Sequence, residues 1–195
     1  MSKFQRDDIE KFFDYSIDIS SKTLYIGSAS GDDDGESGVD HKMAERVIKG
    51  LHMLDRKVEN GLTIIMNNPG GDFYHGLAIY DAIKACQNHV TIKVFGHAMS
   101  MGSLILQAAD ERIMSPNSRM MIHYGYMGAD GHAKTYLKWA EESKYLQKWM
   151  EDVYLDRIKV KHPRFRRSKL KEMLDFDTFF SAQEAIDMNL ADKIL

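Results

Sequence analysis

Residues 62–71 read LTIIMNNPGG, and this stretch decides the fold. Its first part, LTIIM, is a continuous apolar run, which is typical of a strand covered on both faces. The run ends at Asn-Asn-Pro-Gly-Gly, a sequence that favours a tight turn. The same order of apolar strand, small turn residues and helix recurs at residues 90–102, VTIKVFGHAMSMG. Because strands separated by helices require crossover connections, the two units predict a largely parallel sheet.

Apolar residues at helical spacing predict helices on either side of these strands. Ser181-Ala182-Gln183-Glu184 is a capping box, which adds a last helix from Ala182. Pro163 is expected to end the longest helix. Since strands alternate with helices along the chain, we expect an α/β fold. The predicted helices cover residues 41–60, 76–86, 104–109 and 132–158, and the predicted strands cover residues 23–26, 62–66, 90–95, 112–114 and 119–123.

Length and composition set the class of protein. At about 150 residues per domain, the 195 residues predict one domain over 1–195, with residues 1–22 as an N-terminal segment. A hydrophobic fraction of 44% supplies a core, and a net charge of −3 leaves no overall field that would hold nucleic acid or an anionic membrane. The one cysteine, Cys86, predicts a reducing compartment. Neither a secretory signal nor a membrane span is visible, so we expect a cytoplasmic protein.

Two charged stretches interrupt this pattern. Residues 31–38, GDDDGESG, are too polar to pack, so we predict an acidic mobile loop over residues 31–40. The loop does not match a calcium-binding EF-hand, because Ser37 and Met43 stand where that motif needs Gly and Glu. Residues 159–171 carry seven cations in 13 positions. Only Phe165 could stack on a base there, so a solvated face or a charged contact between subunits is favoured over nucleic-acid binding.

Ser100 lies where the second strand turns into a helix. At such a turn the serine Oγ is exposed and the first amides of the helix are unpaired. Ser100-Met101-Gly102 supplies the Ser-x-Gly half of a nucleophile elbow, whereas Ala98 replaces the first glycine of that pattern. Serine is also a preferred N-cap residue, so a plain N-cap is the alternative interpretation.

A serine nucleophile needs a base, and His123 is the best placed of the eight histidines. It ends the apolar run 120–122 and is expected at the end of a strand beside Ser100. A half-buried structural histidine is the alternative. His97 is too constrained by the turn to approach the Ser100 Oγ. The Gly70-Gly71 turn and the Met101 amide could donate hydrogen bonds to an oxyanion, or the turn could bind nothing.

Taken together, these motifs resemble the ClpP family of self-compartmentalised serine peptidases, within the wider ClpP/crotonase superfamily. The resemblance runs from about Thr23 to Leu195, and its motifs occur in the family's order. The matching stretches are Asn67-Asn68-Pro69-Gly70-Gly71, Gly76 with Ala78-Ile79-Tyr80-Asp81, Met99-Ser100-Met101-Gly102, Met121-Ile122-His123, and Asp177-Thr178-Phe179 with Ser181-Ala182-Gln183-Glu184-Ala185.

The resemblance implies a role for each matching residue. Ser100 would be the nucleophile, His123 the general base and Asp177 the orienting carboxylate, with Asp175 as the other candidate acid. Gly70, Gly71 and Met101 would supply the oxyanion donors. The implied reaction is hydrolysis of peptide bonds in short or unfolded polypeptides through an acyl-enzyme, with no metal or organic cofactor.

The family fold is a spiral of β-β-α units with a protruding handle helix, which we expect over residues 128–160. Trp139, Trp149 and Tyr154 give this helix aromatic surface suited to subunit contacts or to an intrachain core. Family members form heptameric rings that stack face to face into tetradecamers. The resemblance therefore implies a homo-oligomeric chamber fed by an ATP-driven unfoldase.

Several residues depart from the family pattern. Thr63 and Ile65 stand where many members carry aromatic residues for unfoldase docking, and Tyr124-Gly125 replaces the usual Gln-Pro. Peptidase chemistry is therefore better supported than an unfoldase partner. Two other functions stay open, a catalytically silent ring subunit and a crotonase-like acyl-thioester enzyme. A signal-peptide peptidase is disfavoured, because it uses a Ser-Lys pair and a membrane anchor.

Overall fold

The computed structural model describes residues 6–27, 38–56, 61–126, 128 and 131–195. The helices are α1 (Arg6–Tyr15), α2 (His41–Leu54), α3 (Phe73–Lys84), α4 (Met101–Leu106), α5 (Ala133–Lys161), α6 (Arg167–Leu174) and α7 (Ala182–Asp187). The strands are β1 (Ile17–Asp18), β2 (Thr23–Ile26), β3 (Leu62–Asn68), β4 (Val90–Met99), β5 (Glu111–Met114), β6 (Arg119–Ile122), β7 (Thr178–Ser181) and β8 (Lys193–Ile194).

The eight described strands form one mixed sheet, which confirms the predicted α/β fold and its largely parallel strands. Its main order is β1-β2-β3-β4-β5-β8, and only β1 with β2 and β6 with β7 run antiparallel. The long strand β4 pairs first with β5 and then, beyond Gly96, with β6. Gly96 has a φ of 77°, a left-handed value that suits glycine at this change of partner. The change brings the ends of β4 and β6 together.

Strand β3 corrects one prediction. Its residues alternate between buried and partly exposed, with Leu62, Ile64 and Met66 buried and Thr63 and Ile65 partly exposed. The strand is therefore covered on one face within this chain rather than on both. The core lies on the buried face, where α2, α3 and the fully buried α4 pack.

Helix boundaries differ from the predicted ones where a cap overrides the apolar pattern. The helix expected over residues 41–60 ends at Leu54, because the amide of Asp55 closes on the carbonyl of Leu51; residues 57–60 lie outside the described residues. Helix α3 begins at Phe73 instead of residue 76, because the Asp72 side chain accepts the His75 amide. The prediction of a capping box at Ser181 is confirmed.

The buried helix predicted over residues 104–109 begins three residues earlier, at Met101, directly after Ser100. The prediction also omitted α1, α6, β1, β7 and β8. Helix α6 begins within the basic run of residues 159–171 and ends at Leu174. Its buried residues are Leu170 and Leu174. The run is thus partly a packed helix, although most of its cations are exposed.

Most of the acidic loop predicted over residues 31–40 lies outside the described residues, which resume at residue 38. Val39 is buried and forms an isolated bridge with Gly71, and Asp40 caps α2. These two residues are anchored rather than part of a solvated loop.

Helix α5 has two different halves. Residues 133–139 are all exposed, whereas the helix packs on the core from Leu146 onward and is capped at His162, next to Pro163. Trp149 packs edge-on against Phe73 and Tyr80, and Tyr154 is fully buried, so both rings serve the intrachain core. None of the described helices is both long and apolar enough to cross a bilayer.

Candidate active site

Ser100 occupies the turn between β4 and α4 in a strained backbone conformation. Its φ of 49° and ψ of −122° lie in a region that L-residues rarely adopt, and such outliers cluster at functional sites. The Ser100 amide donates to the carbonyl of Met121 on β6 at 2.9 Å. Although Ser100 stands at the N-cap position of α4, its side chain makes no capping hydrogen bond. The hydroxyl is therefore not used as a helix cap.

His123 follows β6 and contacts both other residues of the predicted triad. Its Nε2 lies 2.8 Å from the Oγ of Ser100, and its Nδ1 lies 2.9 Å from Oδ1 of Asp177. The His123 side chain is only 16% exposed, whereas that of Asp177 is 55% exposed. A hydrogen on Nδ1 that donates to the carboxylate leaves Nε2 to accept the proton of the Ser100 hydroxyl.

The strand register explains why Asp177 rather than Asp175 meets the histidine. Strands β6 and β7 are antiparallel, with Ile122 opposite Thr178. One step further along this register, His123 lies opposite Asp177. Asp175 instead forms the C-cap of α6, where its amide donates to the carbonyl of Lys171.

The Gly70-Gly71 turn packs directly against the nucleophile turn. Both glycines have positive φ, and a Cβ on Gly70 would lie 2.6 Å from the Cβ of Ser100 and 3.0 Å from the amide nitrogen of Met101. The Gly70 amide is already used, since it donates to Oδ1 of Asn68 at 2.9 Å. The bridge to Val39 uses the Gly70 carbonyl and the Asp72 amide, which leaves the Gly71 amide outside it.

The Met101 amide belongs to the first residue of α4, before the first intrahelical hydrogen bond. Among the described residues, neither it nor the Gly71 amide donates a hydrogen bond. Of the predicted oxyanion donors, Gly71 and Met101 thus have amides available for a ligand, whereas the role of Gly70 is the close backbone approach.

Asn68 supports this turn, and our sequence reasoning missed it. It is completely buried, its Nδ2 donates to the carbonyl of Gly27 at 2.8 Å, and its Oδ1 accepts the amide of Gly70. The available signal was the Asn-Pro-Gly-Gly sequence, because asparagine side chains often bond to the backbone two residues later.

Tyr124 anchors the segment after His123 and was noted in the sequence only as a departure. Its hydroxyl donates to the buried Glu151 of α5 at 2.7 Å, and its amide donates to the carbonyl of Leu174 at 2.8 Å. Burial, reinforced by this acceptor, raises the pKa of the Tyr124 hydroxyl. Burial alone would raise the pKa of Glu151 too, but hydrogen bonds from Arg167 and Tyr124 outweigh it and lower that pKa. A charged cluster therefore fixes the backbone beside the histidine.

A cavity adjoins His123 and Asp177 of the candidate triad. Its volume is 340 Å³, and its walls include His123, Tyr126, Phe176 and Asp177. Tyr126 stands edge-on to the His123 ring at a centroid distance of 6.2 Å. Ser100 is not among the residues that line this cavity, so of the triad the cavity opens onto the histidine and the aspartate only.

This arrangement can perform acyl transfer. It joins a hydroxyl nucleophile, a base and a carboxylate in one hydrogen-bonded chain, beside two available amides. Within the described part of the chain, no group of three or more His, Cys, Asp or Glu side chains could hold a metal ion. That no cofactor is required stays a prediction.

Comparison with known proteins finds a family model and a curated relative that each cover most of this chain. A family model described as Clp protease matches residues 35–195. A relative from Deinococcus radiodurans, described as ATP-dependent Clp protease proteolytic subunit, is 32% identical over 190 residues, which cover 95% of this chain and 86% of the relative. The mixed sheet and its helices agree with the fold of that family.

Proposed function

The chain belongs to the Clp protease family, a premise from which we propose that it is a serine-type peptidase with Ser100, His123 and Asp177 as its catalytic triad. Membership of this family by itself supports a protease function for the chain. One observation carries the serine-type proposal, namely the continuous hydrogen-bonded chain from the Ser100 Oγ through both ring nitrogens of His123 to Asp177.

Acylation follows from this geometry. The Ser100 Oγ attacks the carbonyl carbon of a peptide bond while Nε2 of His123 takes the hydroxyl proton. The carbonyl oxygen becomes an oxyanion, which accepts hydrogen bonds from the amides of Gly71 and Met101. As the tetrahedral intermediate collapses, the C–N bond breaks and the histidine gives its proton to the leaving amine. Asp177 stabilises the imidazolium and holds its tautomer throughout.

Deacylation repeats these steps with water as the nucleophile. Nε2 of His123 accepts a proton from a water molecule, and the hydroxide formed attacks the ester carbon of the acyl-enzyme. Collapse of the second oxyanion breaks the bond to Ser100, which recovers its proton from the histidine. The products are a carboxylic acid and the regenerated hydroxyl.

We extend the proposal to the assembly. The name of the Deinococcus radiodurans relative, a proteolytic subunit of an ATP-dependent protease, supports a partner that uses ATP. We propose that this partner is an unfoldase and that it feeds unfolded chains into a homo-oligomeric ring. The exposed half of α5 carries Tyr136, Leu137 and Trp139, an apolar surface suited to contact between copies. Heptameric rings, stacked in pairs and located in the cytoplasm, complete the proposal.

Unfoldase docking has weaker support than the chemistry. Thr63 and Ile65 are partly exposed on the outer face of β3. Because neither side chain is aromatic, this face lacks the aromatic surface that the family pattern has there. Neither a silent ring subunit nor a crotonase-like enzyme gains an observation from the described residues. The backbone strain at Ser100 costs free energy of folding, and a catalytically silent subunit would gain nothing from that cost.

Covalent labelling with a fluorophosphonate tests the triad. We expect wild type to be labelled, and Ser100→Ala and His123→Ala to lose labelling while they stay folded. Ser118→Ala and His89→Ala are matched controls, because both residues lie away from the site, and they should label like wild type. Labelling that persists in Ser100→Ala, or its absence in folded wild type, overturns the serine-type proposal. Light scattering on the same samples should give particles of about seven or fourteen subunits.

A further inference from the structure

Two side-chain hydrogen bonds connect the long helix α5 to the backbone of the nucleophile. The Oγ of Ser103 donates to the carbonyl oxygen of Ser100 at 2.6 Å, and the hydroxyl of Tyr154 lies 2.7 Å from the same Oγ. A serine hydroxyl has a single proton, and here it is used on the carbonyl. Tyr154 must therefore be the donor to Ser103, which gives the chain one direction, from α5 to Ser100.

Both hydroxyls are fully buried, so each depends on the other. Ser103 and Tyr154 expose 0% and 1% of their surfaces. Burial raises the pKa of Tyr154 and keeps its hydroxyl protonated, and hence able to donate, at any working pH. Removing the Ser103 hydroxyl would leave the Tyr154 hydroxyl without this partner in the core, whereas removing the Tyr154 hydroxyl takes away the donor that orients the Ser103 Oγ.

The carbonyl that receives these bonds belongs to the same peptide unit as a proposed oxyanion donor. A peptide unit is planar and trans, so the C=O of Ser100 and the N–H of Met101 point in opposite directions. Rotation of this plane changes ψ of Ser100 and φ of Met101 and turns the Met101 amide away. Fixing the carbonyl therefore fixes the direction of the amide.

The carbonyl is held by more donors than a helix end requires. Besides the Ser103 hydroxyl, it accepts the amides of Ser103 at 3.0 Å and Leu104 at 3.4 Å. A hydroxyl bonded to a carbonyl three or four residues earlier is common in helices and has no functional meaning by itself. Here the second hydroxyl comes from Tyr154, on another helix, and it orients the first.

We propose that Ser103, oriented by Tyr154 of α5, is a positioning residue that directs the Met101 amide at the oxyanion of the reaction. The inference rests on the proposed function, because Ser103 is assigned a role only in holding the Met101 amide, a hydrogen-bond donor in the proposed reaction. It also makes oxyanion stabilisation depend on the seating of α5, since a shift of this helix withdraws the Tyr154 hydroxyl.

Steady-state hydrolysis of a fluorogenic peptide by Ser103→Ala, Tyr154→Phe and the double variant tests this role. An amide that is misdirected rather than removed should lower kcat about tenfold to a hundredfold, with little change in KM, because it acts in the transition state. A peptide boronic acid, which forms a tetrahedral adduct on the serine, should bind more weakly by a similar factor. The double variant should be no worse than Ser103→Ala, because Tyr154 acts only through Ser103.

Two matched controls remove a hydroxyl without touching this peptide unit. Ser118→Ala deletes a buried serine that also donates to the carbonyl three residues earlier, at Ser115. Tyr80→Phe deletes the hydroxyl of a partly buried tyrosine that packs on Trp149. Both variants should retain the wild-type kcat and boronic-acid affinity.

The outcomes separate this inference from the proposed function. If wild type hydrolyses the peptide and Ser103→Ala matches it in kcat and boronic-acid affinity, only the positioning role is overturned. If the loss of activity in the double variant equals the sum of the two single losses, Tyr154 does not act through Ser103, and that part of the inference is overturned. If folded wild type neither hydrolyses peptide nor reacts with a fluorophosphonate, the proposed function fails and the positioning role falls with it. Where Ser103→Ala does not fold, Tyr154→Phe alone decides, and an unchanged kcat overturns the inference.

Discussion

The amide of Gly70 donates a hydrogen bond to Oδ1 of Asn68, two residues earlier, while the other end of the same side chain donates to the carbonyl of Gly27. One buried amide group thus joins the end of β2 to the glycine turn beside Ser100. The turn keeps its approach to the nucleophile through this side chain. It follows that the geometry of the proposed oxyanion donors depends on the side chain of Asn68.

We expect Asn68→Ala to reduce both stability and activity. The substitution leaves the Gly70 amide and the Gly27 carbonyl without their partner in the core, which costs about 1–3 kcal/mol in the free energy of unfolding. Loss of the turn's support should lower kcat in the same variant. Asn117→Ala, at an exposed asparagine in the turn between β5 and β6, is the control. Denaturant unfolding and peptide hydrolysis measure the two effects, and a variant as stable and active as wild type would contradict the role of Asn68.

Gly70→Ala should strongly slow the labelling of Ser100. The new Cβ would lie 2.6 Å from the Ser100 Cβ, at a backbone φ of 107° that L-residues rarely adopt. The nucleophile turn has to move, so we expect the rate of fluorophosphonate labelling to fall on the order of 100-fold. Gly128→Ala is the matched control, because a Cβ there meets nothing within 4 Å. Equal labelling rates in the two variants would argue against the tight packing of the two turns.

Sequence patterns pointed to the residues of the candidate site, but not to the contacts that support them. Ser100 and Gly70 stand at strand ends, where motifs are local, and the resemblance to a family supplied Asp177. The bond between Ser103 and Tyr154 joins residues 51 positions apart, so no local pattern could reveal it. Tertiary packing decides which buried hydroxyls meet.

The fold shows the same division. Strong periodicity located α2, α3 and α5, whereas α6 was missed because its cations suggested a solvated run. Its apolar Leu170 and Leu174 reveal their role only once α6 packs on α5. The short strands β7 and β8 depend on pairing with strands that are distant in the chain, which a single sequence does not display. Strand β1 pairs with the nearby β2 but has only two residues, too few for a sequence pattern.

Arg112, which is buried, forms an ion pair with the partly exposed Asp192, and we expect this pair to affect stability but not activity. Arg112 is 3% exposed, and its Nε and Nη2 lie 2.9 Å and 2.5 Å from the two carboxylate oxygens. Asp192→Ala leaves this guanidinium uncompensated in the core, which should cost about 3–5 kcal/mol in the free energy of unfolding. At temperatures where the variant is folded, its kcat should equal that of wild type.

The exposed pair between Lys193 and Glu111 is the control for this experiment. Lys193→Ala removes an ion pair of 2.7 Å at the surface, which should cost at most about 1 kcal/mol. Thermal unfolding of both variants gives the comparison. Equal losses in the two variants would mean that burial does not set the strength of the Arg112 pair.

The cluster around Glu151 should make stability depend on pH in the acid range. The pKa of Glu151 lies below its ordinary value of 4.5, since Arg167, Tyr124 and Lys171 outweigh its burial. A carboxyl whose pKa is lowered by folding stabilises the protein fully above the unfolded pKa, and this contribution is lost as the pH falls through the folded pKa. Glu151→Gln should therefore be less stable than wild type at neutral pH, and the difference should shrink below about pH 4.5, because the protonated glutamate resembles glutamine.

Thermal unfolding of wild type and Glu151→Gln across the acid range measures this difference. Glu172→Gln is the matched control, because Glu172 pairs with Lys169 at the surface and is 67% exposed on its side chain. Its difference from wild type should stay small at every pH. A Glu151→Gln curve that runs parallel to wild type from neutral to acid pH would show that the charge of Glu151 does not stabilise the fold.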